Sequence, residues 1–344
     1  MTFTPVTEKP AALLKVCPAY VETPLVPLPP VGAVKIVAKD ETARMGLGSF
    51  KALGGVYAIA ALLSEAHERQ HGTPLSGEDF KTDRAREFAS GTTFVCASAG
   101  NHGLSVAAGA RIFGAGARVH LSATVPEGFA VRLQEKGADV IRSGAIYEES
   151  MAAASRDAET TGAVLLADGS WPGYTHPPSL VMEGYTVMAE EMREAFEKSG
   201  EWPTHVFLQA GVGGLAAAIA CKIRENWSEQ PQIFVVEPQA APCLQEGAKQ
   251  GEVVEVNGPV SEMGRLDCKE ASLVALESLI QTANRFVTIS DDEAALGVRF
   301  AHAAGLTTTP SGAAGLGAVL AAQRLDLDLK EGSRALVIIS ECEV

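Results

Sequence analysis

Short apolar runs ending in turn residues alternate along this chain with longer segments of helical period. That rhythm is the mark of an α/β protein with a mostly parallel sheet. The expected strands are VKIVAK (34–39), TTFVCAS (92–98), ARVHLSA (117–123), ADVIRS (138–143), AVLLAD (163–168), HVFLQA (205–210), QIFVVE (232–237), RFVTIS (285–290) and ALVIIS (335–340). Helical patterns fall at about 50–66, 102–113, 128–137, 147–160, 178–198, 214–226, 291–304 and 313–323. So many strands exceed one small domain, and 344 residues suffice for two. The polar stretch HGTPLSGEDFKTD (71–83) reads as a linker or surface insertion. The next four strands, each followed by a helix, are expected to form a smaller unit at 88–180. It interrupts a larger unit built from 1–87 and 181–344.

Charge and cysteine usage narrow the partners. Acidic residues outnumber basic ones 42 to 28, a net charge of -14, and no basic cluster interrupts the excess. Nucleic acid is therefore not an expected partner. No apolar stretch approaches the roughly 20 residues that span a bilayer, and the N-terminus MTFTPVTEKPAALLK is not a secretory signal. A soluble, cytoplasmic protein without membrane contact is expected. The six cysteines form no C-x-x-C pair, which argues against a disulfide framework or structural zinc, so no metal site is expected.

Three motifs carry chemistry. Gln209–Leu215, QAGVGGL, follows a strand and opens a helix, so Gly211, Gly213 and Gly214 allow backbone amides to cup a phosphate. Gly211, Gly213 and Ala216 also match a dinucleotide fingerprint, with Glu237 ending the next strand where a ribose-binding acid would sit. A nicotinamide oxidoreductase is thus a rival reading, and glycines kept only for strand–helix packing are the plainer one. Ser98–Gly103, SAGNHG, places Ser98 and Asn101 beside helix-start amides, suited to a carboxylate or a ring oxygen, although taken alone the motif reads first as ordinary N-capping. Lys51 stands in the first turn of a helix, where the macrodipole disfavours a cation. With Phe50 and Leu53 beside it, a lowered pKa is expected, as an imine-forming amine requires.

RMGLGSFKALGG (44–55), SAGNHG (98–103), GVGGL (211–215) and IISE (338–341) occur in the order and spacing of a known group. Through them the chain resembles the fold type II pyridoxal-phosphate enzymes, the tryptophan synthase β-like group. Within it, DGSWPGYTHPPSLVMEGYTVMAEE (168–191) and MGRLDCKEAS (263–272) are similar to diaminopropionate ammonia-lyases. The resemblance spans nearly the whole chain and implies open, mostly parallel twisted sheets with helices on both faces, in a homodimeric lyase with pyridoxal 5'-phosphate as cofactor. Its reaction would be α,β-elimination from a small β-substituted amino acid, releasing a 2-oxo acid and ammonia. It makes Lys51 the Schiff-base lysine and gives Asn101 the ring hydroxyl. Amides of Gly211, Val212, Gly213, Gly214 and Leu215 would hold the phosphate, and Ser340 would face the pyridine nitrogen. A neutral hydroxyl there weakens the electron sink and favours elimination. Ser98, Ala99, Gly100 and His102 would cradle the substrate carboxylate, and Asp168 would handle the substrate amine or proton.

One position departs from the family pattern: diaminopropionate ammonia-lyases typically carry an aspartate where this chain has Ala99. The sequence SAGNHG is nearer to serine, threonine and 3-hydroxyaspartate dehydratases, which form the alternative reading; a β-replacement synthase shares the cofactor. Glu262, Arg265, Asp267 and Glu270 surround Cys268 in a loop expected over the site, and Trp171 and Tyr174 flank Asp168.

Overall fold

A computed structural model of the chain describes residues 3–98 and 100–343. Among the described residues ten strands form two sheets. The larger one runs β1 (Leu25–Val31), β2 (Val34–Asp40), β10 (Arg334–Ile339), β7 (His205–Gln209), β8 (Gln232–Pro238) and β9 (Arg285–Ile289). The smaller one runs β5 (Asp139–Arg142), β4 (Gly116–Leu121), β3 (Thr93–Ala97) and β6 (Val164–Leu165). β1 is antiparallel to β2, and the other pairings among the described residues are parallel. All nine expected strands are present. β1 is the addition: Pro27, Pro29 and Pro30 remove ladder donors, which hides it from a strand pattern and confines it to a sheet edge. β6 is shorter than its apolar run, because the chain leaves the sheet after Leu165 and turns toward Asp168.

The helices are α1 (Glu8–Lys15), α2 (Lys51–His71), α3 (Asp83–Ser90), α4 (Asn101–Phe113), α5 (Glu127–Glu135), α6 (Tyr147–Thr161), α7 (His176–Ser199), α8 (Gly214–Asn226), α9 (Cys243–Gln250), α10 (Leu273–Thr282), α11 (Asp291–Ala303) and α12 (Ala314–Leu320). Four of them, α1, α3, α9 and α10, are not legible from the periodicity. α3 follows directly on the expected linker, where Thr82 Oγ1 accepts from Ala85 N–H and caps a mostly charged helix.

The central strands are covered on both faces, so their alternating residues enter two different cores. Val206 and Leu208 of β7 pack with Leu215 and Ile219 of α8, whereas Phe207 between them packs with Leu316 of α12. A close approach of α2 and α7 sets where the first of these helices begins. A Cβ on Gly184 would lie 2.6 Å from Leu53 O and 2.7 Å from Gly54 Cα, both backbone atoms. Gly184→Ala is therefore expected to destabilise the protein by about 1–3 kcal/mol in urea denaturation, through overpacking rather than any lost contact.

A buried ion cluster ties β2 and the segment before α2 to α7. Lys39 Nζ lies 2.6 Å from Glu191, and Arg44 bonds both Glu41 and Glu191 at 2.7 Å, with Arg44 fully buried. Burial alone would raise the Glu191 pKa, but Arg44 and Lys39 hold it below the ordinary value. The stability it contributes is present above the unfolded carboxylate pKa of 4.5 and is lost as pH falls through the lower folded value. Removing the carboxylate leaves two buried cations facing Glu41 alone. Glu191→Ala should cost about 3–5 kcal/mol at neutral pH, read as a lowered denaturation midpoint.

Candidate active site

The chemistry-bearing residues stand at the carboxyl ends of strands from both sheets, where open α/β sheets bind ligands. Lys51 opens α2 from a loop shaped by Gly46 and Gly48, at φ of +66° and +77°. A Cβ on Gly48 would stand 2.5 Å from Cys342 Sγ. The loop is pinned to the end of β10: Phe50 N–H donates to Ser340 O (3.1 Å), and Cys342 N–H to Gly48 O (2.9 Å). From there Lys51 Nζ reaches the Asp168 carboxylate, 5.3 Å from the centroid of the Phe50 ring. Asp168 is itself positioned by Tyr174, whose hydroxyl donates to Leu165 O (2.8 Å) and accepts from Ala167 N–H (3.0 Å). The Tyr174 ring stacks on Trp171.

The lowered lysine pKa expected from the sequence is corrected here. Burial pushes the Lys51 amine down, but the Asp168 carboxylate in contact with it, together with Tyr185 and Cys268, leaves it above the ordinary lysine value. Burial in turn would raise Asp168, while Lys51 holds it well below the carboxylate range. A full opposite charge in contact exceeds the half charge of a helix end. The two groups therefore stand as ammonium and carboxylate.

The glycine loop lies alongside. α8 starts without a side-chain cap after Gly213 at φ +101°, so its first amides are open to an anion. Ser272 N–H donates to Val212 O (2.9 Å), and a Cβ on Gly211 would meet Cys268 Sγ at 2.9 Å and Arg265 O at 3.1 Å. A Cβ on Gly214 would lie 3.9 Å from both Asp168 O and Tyr185 Cε2, which joins this loop and Lys51 in one site. Leu215 is buried in the first turn of α8.

From the smaller sheet, Ser98 Oγ accepts from Gly100 N–H (3.2 Å), and Ala99 lies outside the described residues. Asn101, the first residue of α4, donates Nδ2 to Glu341 Oε2 (2.5 Å). His102 is buried, and its pKa is lowered, burial being the leading cause. Its Nε2 bonds Leu166 O (2.8 Å), which assigns the proton to that nitrogen and leaves Nδ1 an acceptor without a partner among the described residues. The side chain thus offers no proton to a carboxylate; only its amide remains for that task. Ser340 is buried at the end of β10, its N–H on Gly312 O (3.2 Å).

Two site residues were missed from the sequence. Tyr185 sits in the apolar stripe of α7 and carries no local signal; its ring is edge-on to Phe50 at 5.0 Å. Its hydroxyl is buried beside the Lys51 amine with no aligned hydrogen bond among the described residues, and burial pushes it up to about 12. Glu341, beside Ser340, accepts from Asn101 and from Thr309 Oγ1 (2.5 Å) and is raised by burial. Glu237, the acid expected to hold a ribose in the rival reading, is occupied. It is fully buried, accepts from Leu244 N–H (2.7 Å) and Gln245 N–H (2.8 Å), and caps α9. Burial pushes it up to about 8.

The family model described as pyridoxal-phosphate dependent enzyme matches residues 16–341. The chain belongs to this family. Diaminopropionate ammonia-lyase of Escherichia coli K12 is 34% identical over 298 residues, 85% of this chain and 73% of that protein. A probable D-serine dehydratase of Rhizobium etli is 31% identical over 204 residues, 57% of this chain and 44% of its own. The crystal structure of Escherichia coli diaminopropionate ammonia-lyase in complex with D-serine superposes with a TM-score of 0.86 at 30% identity. It covers 99% of this chain and 90% of that one. The fold is that of the fold type II group, and the cofactor of the family is pyridoxal phosphate. The site fits that cofactor: a lysine amine in the cleft, an uncapped helix start beside it with no Cβ to obstruct a phosphate, and orphaned buried polar atoms on Tyr185 and His102.

Proposed function

We propose that this pyridoxal-phosphate dependent enzyme is an ammonia-lyase that removes the β-substituent of a small amino acid by α,β-elimination, in the manner of diaminopropionate ammonia-lyase. The juxtaposition of Lys51 and Asp168 beside the uncapped start of α8 carries the reading. When bound, the cofactor supplies an aldehyde that takes up an amine and a ring that delocalises the electron pair left by a departing α-proton. Lys51 would hold the cofactor through its amine, and the free amine would act as the general base that takes the substrate α-proton. Asp168 keeps Lys51 in place and exchanges its proton. Asn101 would hold the ring hydroxyl, amides from Gly211 to Leu215 would hold the phosphate, and Ser340 would meet the pyridine nitrogen. Ser98, Ala99, Gly100 and the amide of His102 receive the substrate carboxylate.

The segment 88–180 acts as the smaller, mobile unit over the larger one made of 1–87 and 181–344, and its closure excludes water. The protein works as a cytoplasmic homodimer. No helix among the described residues is long and apolar enough to cross a membrane. A dehydratase is the second reading, favoured by Ala99 and by the D-serine dehydratase relatives. A panel of β-substituted amino acids, scored for ammonia per 2-oxo acid, separates the two: a diamino substrate gives two and a hydroxy substrate one. No oxo acid from any of them would contradict elimination.

A further inference from the structure

Of the charged residues in the loop around Cys268, one turns into the site. Glu262 and Glu270 are exposed. Asp267 accepts from Ser261 N–H (3.2 Å) and pairs with Lys269 at 2.5 Å. Lys269 Nζ also reaches Ala240 O and Pro259 O on the far side of the loop. Arg265 is delivered inward by a backbone pinned at Ser311, whose Oγ accepts its N–H at 3.1 Å. Its Nε lies 4.0 Å from where a Cβ on Gly100 would be and 3.0 Å from Glu341 Oε2.

That ion pair leaves the guanidinium underused. Nε is buried but not aligned for a hydrogen bond, and none is formed by the terminal nitrogens among the described residues. Glu341 also accepts from Asn101 and Thr309, so Arg265 is its charge partner and not its hydrogen-bond donor. The arginine side chain is 27% exposed, against 4% for Glu341, so the guanidinium keeps free donors beside the start of α4. A guanidinium so presented suits a carboxylate gripped by two N–H groups. A cationic side chain meets the opposite situation: Asp168 is committed to Lys51, and position 99 offers no carboxylate.

We propose that Arg265 is a specificity residue that binds a second carboxylate on the substrate, so that the preferred substrates are β-substituted amino acids with an acidic side chain. The proposal rests on the elimination reading above. With 3-hydroxyaspartate as the probe, loss of water across Cα–Cβ and hydrolysis of the product give one oxaloacetate and one ammonia. The hydroxyl leaves with the α-proton as water, and one water is returned in the hydrolysis. The substrate's α-carboxylate stays on the 98–102 loop, and its side-chain carboxylate takes the Arg265 fork.

The test uses the cofactor-loaded enzyme and two amino acids that lack an α-proton and cannot react, 2-methylaspartate and 2-methylserine. Their affinities are read from the change in cofactor absorbance. Wild type is expected to bind 2-methylaspartate at least about 30-fold more tightly, and Arg265→Gln to erase that ratio, with Arg265→Lys restoring part of it. The ratio of kcat/KM for 3-hydroxyaspartate to that for serine should fall in parallel. Equal weakening of both ligands in Arg265→Gln, or no change in either, overturns the proposal, since an α-carboxylate anchor or a loop-shaping role acts on both alike. If the protein carries no borohydride-reducible visible absorbance at all, the elimination reading fails and this inference with it. Absorbance present without a preference for the diacid sinks the inference alone.

Discussion

Lys51→Ala should abolish the visible absorbance of the cofactor-loaded protein and lower 2-oxo acid production by about 10³-fold or more, with the fold retained by circular dichroism. The magnitude follows from losing the covalent attachment and the general base in one substitution. Binding is expected to weaken less than turnover, because the open amides at the start of α8, proposed to hold the phosphate, do not involve the Lys51 side chain. Lys51→Arg distinguishes charge from chemistry. It preserves a cation beside Asp168 and therefore the local ion pair, yet it cannot be deprotonated, so its activity should match that of the alanine variant.

Asp168→Asn is expected to reduce kcat by about 10²–10⁴-fold and to shift the pH dependence of cofactor capture. Capture requires the uncharged Lys51 amine. Burial lowers its pKa, and Asp168 with its neighbours leaves it raised, so capture by the wild-type protein should accelerate with rising pH into the alkaline range. In Asp168→Asn only burial and weaker neighbours remain, and the rise should move to lower pH. The sign is the useful part: a carboxylate that merely shaped the pocket would slow capture at every pH alike. Stability should follow the same pair. Its Lys51 share is lost as pH rises through the raised lysine pKa, and its Asp168 share as pH falls through the lowered carboxylate pKa.

The fold was legible where a single period dominates. β7, β8 and β10 are apolar on both faces because helices cover both, and such runs stand out in a sequence. β1 escaped because three prolines mimic a loop, and α3 because a capped, mostly charged helix has little apolar stripe to detect. The site was legible through its glycines, since positive φ at Gly48 and Gly213 and the close approach at Gly211 leave no other residue type free of strain. What could not be read was charge pairing across the fold. Lys51 and Asp168 are 117 residues apart, so a local argument from the helix dipole gave the lysine pKa the wrong direction. Glu341 and Arg265 meet only because β10 and the loop around Cys268 converge over α4.

Lys51 is the amine proposed to hold the cofactor beside the glycine loop. Borohydride reduction of the pyridoxal-phosphate-loaded protein, followed by proteolysis and mass spectrometry, tests it directly. The expected result is one phosphopyridoxyl group on the peptide containing Ser49, Phe50 and Lys51, stoichiometric with protein. Modification of a different lysine, or none after full loading, would contradict it.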